Sequence, residues 1–236
     1  MIKNKSKLII WDFDGVISDT EHLWLTNWQI LLKKRLDIDW DFETVNRHLG
    51  GMSPKTKKEN LAKLGIVIDN NFIDELKILD WQAMEKMLPV DGVESIFETE
   101  DFAQCIATGG NRDKTEKKLD ILGFNHYFQP ECIFTAQQVE HGKPEPDLFL
   151  FAARQMGYQP EDCIVIEDSL AGLTAAQKAG MTAFAYLGCP MNNHPEYIEK
   201  VRAMGITNIF FDMLNVKMAL ENLYILFNKI LVFLDV

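Results

Sequence analysis

Six short runs of consecutive apolar residues constrain the fold of this chain more than any other feature. They occupy residues 8–11, 105–107, 132–134, 163–166, 183–186 and 209–211. Unbroken rather than alternating hydrophobicity is typical of strands buried on both faces, as in a parallel sheet. Amphipathic stretches at 114–122, 148–156 and 170–179 are long enough to be crossover helices between these strands. The pattern therefore predicts a doubly wound α/β domain.

One interval, residues 21–88, departs from this alternation. It contains no strand-like run, and its apolar residues recur at helical spacing, as Trp24, Trp28 and Leu31 do. A turn signal, Pro-Val-Asp-Gly, follows at 89–92. We therefore expect a Rossmann-like parallel sheet core formed by residues 1–18 and 90–236, with an inserted all-helical domain at 19–89.

Charge and hydrophobicity exclude several classes of partner. The 236 residues include 24 basic and 35 acidic ones, which gives a net charge of −11 that would repel nucleic acid and anionic lipid. The apolar run 8–11 is too short for a signal peptide. The apolar tail at 220–236 contains Glu221 and Lys229 and falls short of the ~20 apolar residues of a membrane span. We expect a cytoplasmic protein without nucleic-acid or membrane partners, whose tail is a packed helix.

Polar residues follow four of the apolar runs at the points where the strands would end. They are Asp12 and Asp14 after the first run, Thr108, Gly109 and Gly110 after the second, Lys143 beyond the third, and Glu167 and Asp168 after the fourth. Open parallel sheets bind ligands beyond the carboxyl ends of their strands. These residues are therefore the candidate site.

The four carboxylates predict a metal site. Asp12 and Asp14 alternate where a strand becomes a turn, so both side chains can point the same way. Two like charges this close need a cation, and Glu167 and Asp168 add further hard oxygen ligands of the kind Mg²⁺ prefers. Taken alone, each segment has a plainer interpretation as a solvated turn or the start of a helix.

Two further segments suit an anionic ligand. Thr108, Gly109 and Gly110 precede a predicted helix, where a hydroxyl, backbone N–H groups and the helix dipole favour an anion. The alternative is a simple helix cap. Lys143 lies between Gly142 and Pro144 and would place an ammonium near the carboxylates, although a loop lysine is more often solvated.

Together the four segments resemble, in order and spacing, the signature motifs of the haloacid dehalogenase superfamily in its β-phosphoglucomutase-like branch. The resemblance spans about residues 7–190 and covers the 19–89 insertion, which would be the helical cap of that branch. It implies that Asp12 is a nucleophile that forms an aspartyl-phosphate and that Asp14 is the general acid and base. It further implies an enzyme that hydrolyses a small phosphorylated metabolite.

The resemblance also assigns the remaining residues. Lys143 would neutralise the phosphoryl oxygens, while Thr108 and the glycines Gly109 and Gly110 would hold the transferring phosphate. Mg²⁺ would be bound by Asp12, Asp168 and the backbone carbonyl of Asp14, with Glu167 acting through a bound water.

A phosphosugar mutase is the main alternative to a phosphatase. Mutases of this branch carry a cap histidine after an Asp-Thr pair and an arginine in a Gly-x-Ser-Arg loop. This chain has Asp19 and Thr20, but Trp24 stands in place of the histidine, His22 is displaced by two positions, and the loop reads Gly-Met-Ser-Pro at 51–54. These departures favour hydrolysis. A third alternative is a non-catalytic binding module on the same fold.

Substrate choice is expected to depend on the loop at 50–55. Gly51 permits close approach and Lys55 offers positive charge, so both are candidate substrate-binding residues. The lysines at 55, 57 and 58 can also form a solvated helix face, which charge clusters on helices usually do. We expect a monomer or a weak homodimer.

Overall fold

A computed structural model describes residues 7–50, 52 and 54–234 of the chain. The chain divides into two compact units, one formed by Met1–Asp19 with Leu88–Val236 and the other by Thr20–Met87. The second unit lies between the first and second strands in sequence. The insertion predicted from the sequence covers residues 19–89, and the bounds of this unit, Thr20–Met87, fall within it.

Six strands form the sheet of the first unit. They are β1 (Lys7–Trp11), β2 (Phe102–Thr108), β3 (Ile133–Thr135), β4 (Cys163–Glu167), β5 (Thr182–Tyr186) and β6 (Ile209–Phe210). Their order is β3-β2-β1-β4-β5-β6, and all neighbours run parallel. The predicted doubly wound sheet is thus confirmed. The strand order changes direction between β1 and β4, which is where such sheets bind ligands.

Ten α-helices accompany the sheet in the described residues. Those of the second unit are α1 (Glu21–Leu36), α2 (Phe42–Leu49), α3 (Pro54–Lys63) and α4 (Asn70–Met84). Those of the first unit are α5 (Glu94–Phe97), α6 (Arg112–Leu122), α7 (Asp147–Met156), α8 (Leu170–Lys178), α9 (Pro195–Ala203) and α10 (Met213–Leu234). The three predicted crossover helices correspond to α6, α7 and α8.

Strand β1 is buried on both faces, which explains its unbroken apolar run. Leu8 and Ile10 belong to the core that includes Phe149 of α7 and residues of α8. Trp11 has the opposite parity and contacts the ring of Phe97, with ring centroids 5.1 Å apart. After Lys7, which is partly exposed, neither face of the strand is open to water, so positions 8–11 all favour apolar side chains.

The helical unit has its own apolar core and no strand among the described residues 20–50, 52 and 54–87. Trp28 of α1 packs against Phe72 of α4, with ring centroids 5.4 Å apart. On α3, Lys58 is exposed, but Lys57 is buried and its Nζ lies 3.6 Å from Glu21 Oε1. The expectation that these lysines form a solvated face is therefore wrong for Lys57.

The predicted C-terminal helix is present as α10. Val216 and Leu220 are buried, whereas Leu214 and Met218 are exposed, so one face of its first turns packs on the unit. No helix in the described part of the chain has both the length and the hydrophobicity to cross a membrane.

Candidate active site

Asp12 begins the site at the carboxyl end of β1. Its backbone N–H donates to the carbonyl of Ile166, 3.0 Å away, which extends the pairing of β1 with β4 by one residue. The chain then turns at Gly15, whose φ of +86° is in the left-handed region. A Cβ at Gly15 would overlap the Asp168 carboxylate. The turn therefore needs glycine both for its conformation and for its contact with the end of β4.

Lys143 reaches this point from the loop before α7. Its Nζ lies 2.5 Å from Asp12 Oδ1 and 3.3 Å from Glu167 Oε1, and its side chain is only 10% exposed. Burial by itself lowers the pKa of Lys143, but the adjacent charges of Asp12 and Glu167 outweigh burial and raise it. The ammonium is therefore protonated at neutral pH.

Asp12 is almost fully buried, with 7% of its surface exposed. Burial and then the nearby charge of Glu167 raise the pKa of Asp12 to about 7, against the opposing effect of Lys143. The Asp14 charge also contributes to the increase. The surroundings carry an excess of negative charge around Asp12, which a bound cation would relieve.

A possible cation site is formed by Asp12, Glu167 and Asp168. Each contributes one carboxylate oxygen, and these oxygens all lie within 4.8 Å of one another. Three hard oxygen donors beside a strand-end turn fit Mg²⁺, which takes few carboxylates and retains waters. The donor set is therefore suitable for the predicted metal.

Glu167 and Asp168 are held in place by their own neighbours. Glu167 Oε2 accepts from the Asp168 N–H at 2.9 Å, and Glu167 Oε1 accepts from Ser169 Oγ at 2.8 Å. A Cβ at Gly172 of α8 would overlap the Glu167 carboxylate. Asn192 Nδ2 donates to Asp168 Oδ2 at 2.7 Å. These contacts fix the orientation of the carboxylates before any ion binds.

Thr108 ends β2 at the same edge of the sheet. It lies two residues beyond Ile106, which pairs with Trp11, and it is 2% exposed. Its Oγ1 accepts from the Gly110 N–H at 3.2 Å, and the exposed Gly109 lies between them. Asn111 occupies the N-cap position of α6 without a side-chain capping bond. The hydroxyl thus orders the loop before α6 rather than capping the helix.

Asp14 is more open than Asp12, with 31% of its side chain exposed. Both of its carboxylate oxygens accept from the Nζ of Lys118 on α6, at 2.5 and 2.7 Å. The Lys118 side chain is 8% exposed, and its Nζ lies 5.0 Å from the centroid of the Phe13 ring. Asp14 is therefore held by a buried cation from a different element.

Comparison with known proteins identifies the family. A profile of the haloacid dehalogenase-like hydrolases matches residues 9–186. The chain belongs to this family. One haloacid dehalogenase-like relative, a fructose-1-phosphate phosphatase of Escherichia coli, is 29% identical over 180 residues, which cover 74% of this chain and 93% of the relative. The β-phosphoglucomutase of Bacillus subtilis is 31% identical over 191 residues, covering 75% of this chain and 81% of the relative.

A solved haloacid dehalogenase-like structure supports the same assignment. It is a hydrolase of Deinococcus radiodurans R1 with bound phosphate and sodium, and it superposes with a TM-score of 0.78 at 26% identity. The superposition covers 93% of this chain and 97% of that one. The resemblance inferred from the sequence is thus confirmed at the level of family and fold.

Two residues that contact the carboxylates of this candidate site, Lys118 and Asn192, were not predicted from the sequence. A signal for Lys118 was present, since it lies between the buried Thr115 and Leu119 on the face of α6 that should be apolar. Asn192 lies in a loop after β5 and carried no such signal. Of the predicted substrate contacts, Gly51 and the side chain of Lys55 lie outside the described residues.

Proposed function

We propose that this haloacid dehalogenase-like hydrolase is a Mg²⁺-dependent phosphatase acting on a small, sugar-phosphate-like metabolite through an aspartyl-phosphate on Asp12. The observation that carries the proposal is the buried Asp12 carboxylate, held 2.5 Å from the Lys143 ammonium and beside Glu167 and Asp168. The E. coli relative is itself a phosphatase of a sugar phosphate.

Each residue has a role in this scheme. Asp12 attacks phosphorus and forms the covalent intermediate, while the Lys143 ammonium favours its ionised form and balances phosphoryl charge. Asp14, two residues further on, protonates the leaving oxygen and later takes a proton from the attacking water. The Thr108 hydroxyl and the amides of Gly109 and Gly110 orient the phosphate.

Mg²⁺, when bound by Asp12, Asp168 and the Asp14 carbonyl with support from Glu167, would supply positive charge to the transferring phosphoryl group. We further propose that the helical unit, Thr20–Met87, serves as a cap that selects the substrate, with Gly51 and Lys55 among its contacts. The cytoplasmic location, the oligomeric state and the absence of nucleic-acid and membrane partners stay predictions.

The B. subtilis relative keeps a phosphosugar mutase as the second candidate. Trp24 in the position of the expected histidine and the absence of an arginine at residue 54 oppose it. A panel of sugar phosphates with Mg²⁺, scored both for released phosphate and for isomerised sugar phosphate, separates the two. Isomerisation without phosphate release would replace the phosphatase by the mutase.

The nucleophile is tested with Asp12→Asn, which keeps the shape of the side chain but removes its charge. Hydrolysis of 4-nitrophenyl phosphate should fall by at least ~10³-fold, as expected on losing a covalent nucleophile. Asp113→Asn, an exposed aspartate on α6, is the matched control and should retain full activity. Asp12→Asn activity within tenfold of wild type would exclude Asp12 as the nucleophile.

A further inference from the structure

The ion pair between Lys118 and Asp14 joins a buried lysine to a partly exposed aspartate. Lysine is seldom buried unless paired, because removing an ammonium from water is costly. Here the cation is the buried partner, with its side chain 8% exposed, while the Asp14 side chain is 31% exposed. A methionine would fill a similar volume on α6 without that cost, so packing alone does not explain a lysine.

The geometry of the pair restrains the carboxylate. The last torsion of an aspartate is broad, so its two oxygens are poorly fixed unless they have partners. Lys118 Nζ contacts both, at 2.5 and 2.7 Å. Its own position is set by the rigid helix α6 and by the Phe13 ring, 5.0 Å away. The Asp14 carboxylate is thereby held in one orientation at the turn after β1.

We propose that Lys118 is a positioning residue for the general acid: when Asp14 is protonated, one of its oxygens still accepts from Lys118 Nζ, and the other carries the proton that passes to the leaving oxygen. This inference rests on the proposed phosphatase function. The helix that carries Lys118 begins directly after the loop of Thr108, Gly109 and Gly110. One rigid element therefore relates the phosphate-holding loop to the orientation of the general acid, where a misplacement of ~1 Å can cost ~10²-fold in rate.

If Lys118 positions the general acid, the loss of kcat/KM on replacing it should depend on the leaving group of the substrate. General acid catalysis matters most when the departing oxygen is basic, and least when it leaves unaided. In Lys118→Met, kcat/KM should fall ~10–100-fold for phenyl phosphate and less than ~3-fold for 2,4-dinitrophenyl phosphate. The plot of log kcat/KM against leaving-group basicity should therefore be steeper for the variant than for wild type.

Two comparisons make the test specific. Lys117→Met removes a neighbouring lysine that is 48% exposed and pairs with Asp120, and it should leave both substrates unaffected. In an Asp14→Asn background, adding Lys118→Met should change kcat/KM for phenyl phosphate by less than ~2-fold, since the carboxyl group that Lys118 positions is already absent. Lys118→Gln gives the same comparison if Lys118→Met does not fold.

The possible results distinguish a failure of the positioning role of Lys118 from a failure of the proposed phosphatase function. An equal loss on both aryl phosphates, no loss on either, or an undiminished effect in the Asp14→Asn background would overturn the positioning role while leaving the phosphatase intact. Wild-type protein that hydrolyses none of the aryl phosphates with Mg²⁺ would instead remove the proposed function itself.

Discussion

The Lys143 ammonium lies 2.5 Å from Asp12 Oδ1 and 3.3 Å from Glu167 Oε1, so one buried cation contacts two buried carboxylates. Lys143→Met should therefore destabilise the metal-free protein by ~3–5 kcal/mol, because it leaves two buried like charges unbalanced. Mg²⁺ should restore part of the loss by supplying positive charge. Thermal unfolding in EDTA and in Mg²⁺ measures both effects.

Lys178→Met is the control for that variant. Lys178 Nζ lies 2.7 Å from Glu145 Oε1, but its side chain is 42% exposed. Removing such a surface pair should cost at most ~1 kcal/mol, with no dependence on Mg²⁺. If Lys143→Met and Lys178→Met unfold at the same temperature in EDTA, Lys143 does not neutralise the site.

Metal binding should be visible without any assay of activity. At ~100 times the dissociation constant, Mg²⁺ should raise the melting temperature of the wild type by roughly 5–10 °C. Asp168→Asn should reduce this increase, because Asp168 provides one of the three clustered oxygens. The exposed Asp101→Asn should respond as the wild type does. An unchanged response of Asp168→Asn would place the ion elsewhere.

Alanine variants at Gly15 and Gly157 distinguish the effect of backbone strain on stability from an effect on metal binding. Both have positive φ, +86° and +79°, but only at Gly15 would a Cβ meet the Asp168 carboxylate, whereas nothing lies within 4 Å at Gly157. Each alanine variant should lose ~1–2 kcal/mol through strain. Gly15→Ala alone should also weaken the stabilisation by Mg²⁺ in thermal unfolding. Equal Mg²⁺ responses in the two variants would contradict the close approach.

Asp14→Asn should trap the covalent intermediate selectively. Without a base to activate water, the aspartyl-phosphate should accumulate, but only from substrates whose leaving group needs no protonation, such as 2,4-dinitrophenyl phosphate. Intact-mass measurement after mixing should show one added phosphoryl group. Asp12→Asn/Asp14→Asn, which lacks the nucleophile, should show none. A phosphoryl adduct on that double variant would place the covalent bond on another residue.

The positions of the site residues along the chain followed directly from the sequence, whereas some of their contacts did not. A polar residue directly after a buried apolar run, such as Asp12 or Glu167, marks the ligand-binding edge of the sheet whichever strands are neighbours. The Lys118 contact with Asp14 is different, because 104 residues separate the two. Nothing local shows that α6 passes beside the turn after β1.

The sequence by itself determined the strand-helix alternation, the helical insertion and the set of strand-end residues, because hydrophobic runs and turn signals act over a few residues. Only the tertiary structure decided which of these residues meet. Strand β1 pairs with β4 in a register that sets Trp11 opposite Ile166, so Asp12 and Glu167 emerge side by side. A shift of one residue would point the side chains to the opposite face, and that register depends on packing across the whole sheet.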